Sequence, residues 1–250
     1  MICKLCLEEK KLIKKSHIIP SFMYQGIFDD KHFLIHTNLK DLKRISKIPD
    51  GMYDKHILCN KCDNEILGRL ETYASKVLLS KQIKNTNIIS EISTIDEYFK
   101  IITLKNLNYK KFKLFLLSIL WRSSISKLPF FEEVKLGIHS DIIRKMIFED
   151  NPKENIDYET SIILLKSEQI PIPSVISPRY LKFDGNSSYI FHINNFMIHF
   201  NISKHNKLSM FEKTTIWKDN TMKIALLEDH IANHHFDSYL GKKLRLKSKI

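Results

Sequence analysis

Glycine is scarce in this chain. The 250 residues hold six, at positions 26, 51, 68, 137, 185 and 241. No two stand close enough for GxGxxG, and neither a Walker A loop nor a GxSxG elbow occurs. Dinucleotide-binding, P-loop and α/β-hydrolase readings therefore lose their usual support. Long apolar runs are missing as well. The longest, Leu114 to Trp121, falls far short of the roughly 20 residues that a membrane span needs. The first residues alternate Lys and Glu with apolar positions, so no secretory h-region is seen. A cytoplasmic protein with no membrane partner is expected. Arginine is also rare: of 40 cations, six are Arg44, Arg69, Arg122, Arg144, Arg179 and Arg245. The net charge of +12 points toward polyanions, but a lysine-rich surplus is also what AT-rich codon usage writes.

What remains is ordinary globular composition, 43% hydrophobic and 27% charged. No internal repeat and no Pro- or Ser-rich linker divides it. Texture separates a module over 1–80, with every cysteine, from a helical-plus-β region over 81–250. A helix is predicted over Glu65–Leu79 from apolar residues near i, i+3, i+4, i+7 spacing. Residues 81–155 read as helical. Tyr109–Ile125 is apolar on most sides and hence central, and His139–Glu149 carries one buried stripe. Residues 156–227 read as strands: Thr160–Leu165, a hairpin about Asp184-Gly185, and the alternating Asn195–Ile202. A helix over Ile224–Leu240 and a basic tail close the chain. The expected class is α+β: an N-terminal treble-clef-like four-cysteine zinc module, a helical middle, and a C-terminal antiparallel sheet with a terminal helix.

The four cysteines form two pairs of one spacing, Cys3-Lys-Leu-Cys6 and Cys59-Asn-Lys-Cys62. Two intervening residues let both thiolates of a pair face one tetrahedral ion. Disulfides sit poorly with the missing export signal. A redox pair sits poorly with two pairs and nothing left over. A structural Zn2+ held by Cys3, Cys6, Cys59 and Cys62 is expected.

Between the pairs stands Ser16-His17-Ile-Ile-Pro20, and Met52-Tyr-Asp54-Lys-His-Ile-Leu leads into Cys59. The order CxxC, His-Ile-Ile-Pro, Leu-Cys-x-x-Cys resembles the zinc-stapled HNH nucleases of the ββα-metal class, over about residues 1–70. Ser16–Met23 with Cys62-Asp63 and Glu71 further resembles HNH-like proteins of bacterial mobile and defence islands. The resemblance implies a nucleic-acid partner, DNA before RNA, and metal-dependent endonuclease activity. It makes His17 the general base, with Mg2+ or Mn2+ at the phosphate. It places Asp54 where the family usually has Asn, and Asp63 where it has His or Asn, and both carboxylates are the expected ligands of that cation. Ser16 replaces the usual Asp ligand. A non-catalytic adaptor that docks a protein partner or nucleic acid is the rival reading, and Ser16 favours it.

Other features have plainer readings. His230 and His234 are four apart but lack the Glu of HExxH, and read as a polar helix face. Trp121-Arg122-Ser123 reads as a core tryptophan beside an arginine that bridges to a carboxylate. The strand aromatics from Tyr180 to Phe200 read as packed core before base-stacking platform. The acid-free tail from Lys242 to Lys249 reads as a solvated, frayed terminus or as a phosphate contact, and the lysines around Lys40, Lys43 and Lys47, interrupted by Asp41 and Asp50, are further candidates for a groove.

Overall fold

The structure is a computed structural model. It describes residues 1–28, 33–38, 41–79, 83–97, 99–166, 175–183, 185–202 and 214–228. Among the described residues three α-helices and one large sheet form a mixed α+β architecture.

Helix α2, Tyr109–Ile125, is the axis of the molecule. Every residue from Phe112 to Ser123 is buried, as the apolar circumference of this segment requires. Asn108 starts it by accepting a hydrogen bond from the Lys111 backbone at 2.9 Å. The chain turns extended at Ser126, and Pro129 follows. Helix α1, Gly68–Leu78, and helix α3, His139–Phe148, both pack on α2, which also touches the sheet. A wide-turned π segment, Lys61–Leu67, runs straight into α1.

The sheet has nine strands in the order β3-β2-β8-β9-β10-β7-β11-β6-β5. They are β2 (Phe33–Asn38), β3 (Asp41–Pro49), β5 (Ile89–Thr94), β6 (Phe99–Lys105), β7 (Thr160–Lys166), β8 (Val175–Phe183), β9 (Asn186–Ile193), β10 (Phe196–Asn201) and β11 (Met222–Glu228). All neighbours are antiparallel except β2/β8 and β7/β11. Two further strands, β1 (Ser16–His17) and β4 (Tyr53–Asp54), form a separate pair. Along β10, Ile198 and Phe200 enter the main core while Met197 joins a smaller cluster on the other face with Ile163, Ile176 and Ile190. Tyr189, Phe191 and Phe200 are buried, as packed-core aromatics are.

Two expectations are corrected. The middle is not wholly helical, because β5 and β6 form a hairpin there. All six residues of β5 are exposed, so it lacks the apolar alternation that would mark a strand. The predicted terminal helix begins instead as strand β11, between β7 and β6. Ile224, Ala225 and Leu226 are all buried there, and a short run covered on both faces reads alike as helix or strand. The remainder of that helix, His230, His234 and the basic tail lie outside the described residues, as do Lys40 and the side chains of Lys43 and Arg44. No helix among the described residues is long and apolar enough to cross a membrane.

Candidate functional site

The two cysteine pairs come together. The sulfurs of Cys3, Cys6, Cys59 and Cys62 all lie within 4.8 Å of one another, and the thiols are free. A tetrahedral zinc–thiolate site has sulfurs ~3.8 Å apart, so a small contraction closes the set on an ion. Backbone bonds hold the two loops in register. Lys4 donates to the Ile57 carbonyl, Ile13 to Leu58 and His56 to Ile13, at 2.9–3.1 Å.

The sulfurs prepare for a cation. Burial works against the Cys3 thiolate, yet backbone N–H groups of Cys6, Cys59 and Leu5 outweigh it and bring this thiol down to about 7. The Cys59 N–H lies 3.3 Å from the Cys3 sulfur. Cys62 moves the other way, pushed up by burial and by its sulfur neighbours. Cys6 is raised too, first by burial. Four crowded thiols cannot all ionise without a counter-charge, and a bound cation supplies it. These residues form a site able to hold a metal.

The second pair leads directly into helix. The Asp63 N–H donates to the Cys59 carbonyl at 3.0 Å, and the π segment begins at Lys61. Before it, β1 and β4 pair with Ser16 opposite Asp54 and His17 opposite Tyr53. The helix that follows β4 in the chain thus starts on the second cysteine pair.

His17 is half-buried. Its Nε2 lies 3.0 Å from the Asp50 carbonyl, and its ring meets Tyr53 edge-on at 6.3 Å. A carbonyl only accepts, so Nε2 carries a proton and a neutral ring keeps its lone pair on Nδ1. Asp50 and Gly51 both adopt left-handed backbone, which aims that carbonyl. A methyl group at 51 would run into the Tyr24 ring, so only glycine fits.

Asp63 lies within the influence of His17. Burial raises its carboxyl, with Glu71 adding to the effect, while Arg122, Ser16 and His17 oppose it. The Ser16 hydroxyl is fully buried and interacts with Asp63 short of a well-formed hydrogen bond. Arg122, 1% exposed, donates through Nη1 to the Glu71 carboxylate at 2.7 Å and to the His17 carbonyl at 2.8 Å. Its other bonds go to Ser118. The arginine therefore finds the carboxylate that its sequence context suggests. It also anchors the His17 strand, which no local pattern signals.

Asp54 is placed differently. It faces the Ser16 side of the strand pair, and successive strand residues alternate, so it points away from His17. It is buried, and its Oδ2 accepts from the Lys127 backbone at 3.0 Å. Among the described residues the four cysteines are the one group of His, Cys, Asp and Glu that meets at metal-binding spacing. His17, Asp54 and Asp63 do not form a second. Comparison with known proteins finds no matching family model, no matching curated protein and no matching solved structure.

Proposed function

We propose that the chain is a zinc-stabilised, HNH-like nucleic-acid-binding protein whose treble-clef-like module hydrolyses phosphodiesters. Four thiolates select zinc over harder ions, and a closed set of four makes that ion structural. The observation that carries the reading is His17. It stands in a strand whose partner, β4, leads into the thiolate-anchored helix, with Nε2 tied to the Asp50 carbonyl and Asp63 within its electrostatic influence. In this reading Nδ1 takes the proton from an attacking water. The Asp50 carbonyl holds the imidazole at Nε2, and Arg122 holds the strand that carries it through the His17 carbonyl. Asp63 offers one carboxylate to Mg2+ or Mn2+, which bind through one or two carboxylates and the substrate phosphate. Such an ion polarises the phosphate and stabilises the leaving oxygen. Asp54 is then a structural residue, holding the backbone after α2.

The test is His17→Ala on a supercoiled plasmid and on single-stranded substrates, with Mg2+ or Mn2+ added. Cleavage should fall about 10²–10⁴-fold while zinc content and melting temperature hold. Release of zinc or unfolding by the variant would make His17 structural. One observation favours the adaptor reading: with Ser16 in place of Asp and Asp54 engaged, Asp63 is the single carboxylate left for the cation. If the folded, zinc-loaded wild type cuts nothing with either cation, the adaptor reading stands.

A further inference from the structure

Helix α1 borders two surface clefts that meet at Tyr73. One, about 520 Å³, is lined by Arg69, Lys76 and Lys111, with Glu65 as its acid. The other, about 410 Å³, is walled by Asn87, Asn106, Asn108 and Asn220. Both volumes suit a small-molecule site.

The first cleft is cationic. Lys76 and Lys111 have no acid partner among the described residues. Arg69 shares Asp150 with Lys110, at 2.6 and 2.8 Å. Four cations thus stand against Glu65 and Asp150. The Lys111 ammonium lies 5.8 Å from the centre of the Tyr73 ring. The Tyr73 hydroxyl is pinned by the Asn108 backbone N–H at 2.6 Å. Its ring is therefore a fixed wall between the clefts.

The second cleft is built of amides held by left-handed backbone at Asn106 and Asn220. Asn106 Nδ2 donates to the Asn87 carbonyl, and Asn220 Oδ1 accepts from the Tyr109 backbone, both at 3.2 Å. Asn106 Oδ1, Asn108 Nδ2, Asn220 Nδ2 and the Asn87 side chain remain uncommitted among the described residues. Uncommitted amides match the donor–acceptor edge of a base, an aromatic ring suits its face, and ammonium groups suit its phosphate.

We infer that the two clefts form one nucleotide-binding site, with phosphate at Lys76 and Lys111 and the base across Tyr73 toward the asparagines. A free mononucleotide and one residue of a single strand share this chemistry. The inference does not depend on cleavage at His17.

The experiment measures binding of AMP by calorimetry and of a labelled single-stranded DNA by anisotropy. It uses zinc-loaded full chain without added Mg2+ or Mn2+, over several salt concentrations. The double variant Lys76→Gln/Lys111→Gln should weaken the strand at least tenfold and flatten its salt slope by about 1.4. Tyr73→Leu should weaken it at least fivefold. Displacement of the strand by AMP assigns the site to a mononucleotide. No displacement, with the lysine dependence kept, assigns it to a strand. Circular dichroism checks each variant; if Tyr73→Leu does not fold, the lysine pair at the cleft decides. Wild type that binds neither probe, or a double variant with unchanged affinity and slope, overturns the inference. Binding without cleavage would remove the nuclease reading and leave this one intact.

Discussion

Around the first cysteine pair there is almost no regular structure, whereas the sheet is regular but for register shifts in β2 and β8. Strands β1 and β4 are two residues each, and single backbone bonds across loops join the cysteine pairs. The sheet strands run six to nine residues. The sheet is ordered by aliphatic and aromatic side chains that would cluster in any order of events. The cysteine region shares that apolar core through Leu5, Leu58 and Leu67, and adds four crowded sulfurs that a cation would join. Sensitivity to metal and thiol chemistry is thus added to packing in one region, and packing stands alone in the other.

The sharpest way to break this contrast is to remove a sulfur. Cys59→Ser should abolish zinc binding, which contributes on the order of 10 kcal/mol in such sites. Metal analysis with hydrogen exchange checks it. Amides of Lys4, Ile13 and His56 should lose protection while the β9/β10 ladder keeps its own. Wild type that is well folded yet free of zinc would erase the contrast. Next comes the strut between the halves. Arg122→Leu strips Glu71 and the His17 carbonyl of their partner and should cost about 3–5 kcal/mol in denaturant unfolding.

Lys113 tests the packing side. It is wholly buried on α2, donating to the Tyr109 hydroxyl and to the Glu154 carbonyl. Burial pushes its ammonium down to about 7 from 10.5. Between those values the unfolded chain holds a proton that the folded chain lacks. Stability should therefore rise as pH climbs from 7 toward 10.5, by up to about 1.4 kcal/mol per unit. Lys113→Met should flatten that slope in melts across the window. The smallest effect belongs to Asp54→Asn. It keeps an acceptor for the Lys127 N–H and should cost about 1 kcal/mol without altering metal dependence. A changed Mg2+ or Mn2+ requirement would return Asp54 to the ligand role.

The elements that the sequence makes legible are those written in local periodicity. Tyr109–Ile125 emerges with the predicted bounds because its pattern is long, and the two strands about the Asp-Gly turn emerge where its chemistry places them, though they begin earlier than predicted, at Val175 and Asn186. The cysteine grouping is legible because two identical spacings admit few explanations. Strands β2 and β3 escape notice because their segment, Phe33–Pro49, alternates weakly and is crowded with charge. The parallel pairings of β2 with β8 and β7 with β11 join distant segments, and no local pattern records that. The surroundings of His17 divide in the same way. The histidine shows itself by its neighbours in sequence, whereas Asp50, Glu71 and Arg122 become its supports only in space.

The bond from Arg122 to the His17 carbonyl spans 105 residues. Translation proceeds at roughly 5–20 residues per second, so several seconds separate synthesis of the last cysteine from synthesis of this arginine. Both cysteine pairs are therefore made well before the anchor of the His17 strand. The Leu5 carbonyl of the first pair waits longer still, for Arg144 of α3.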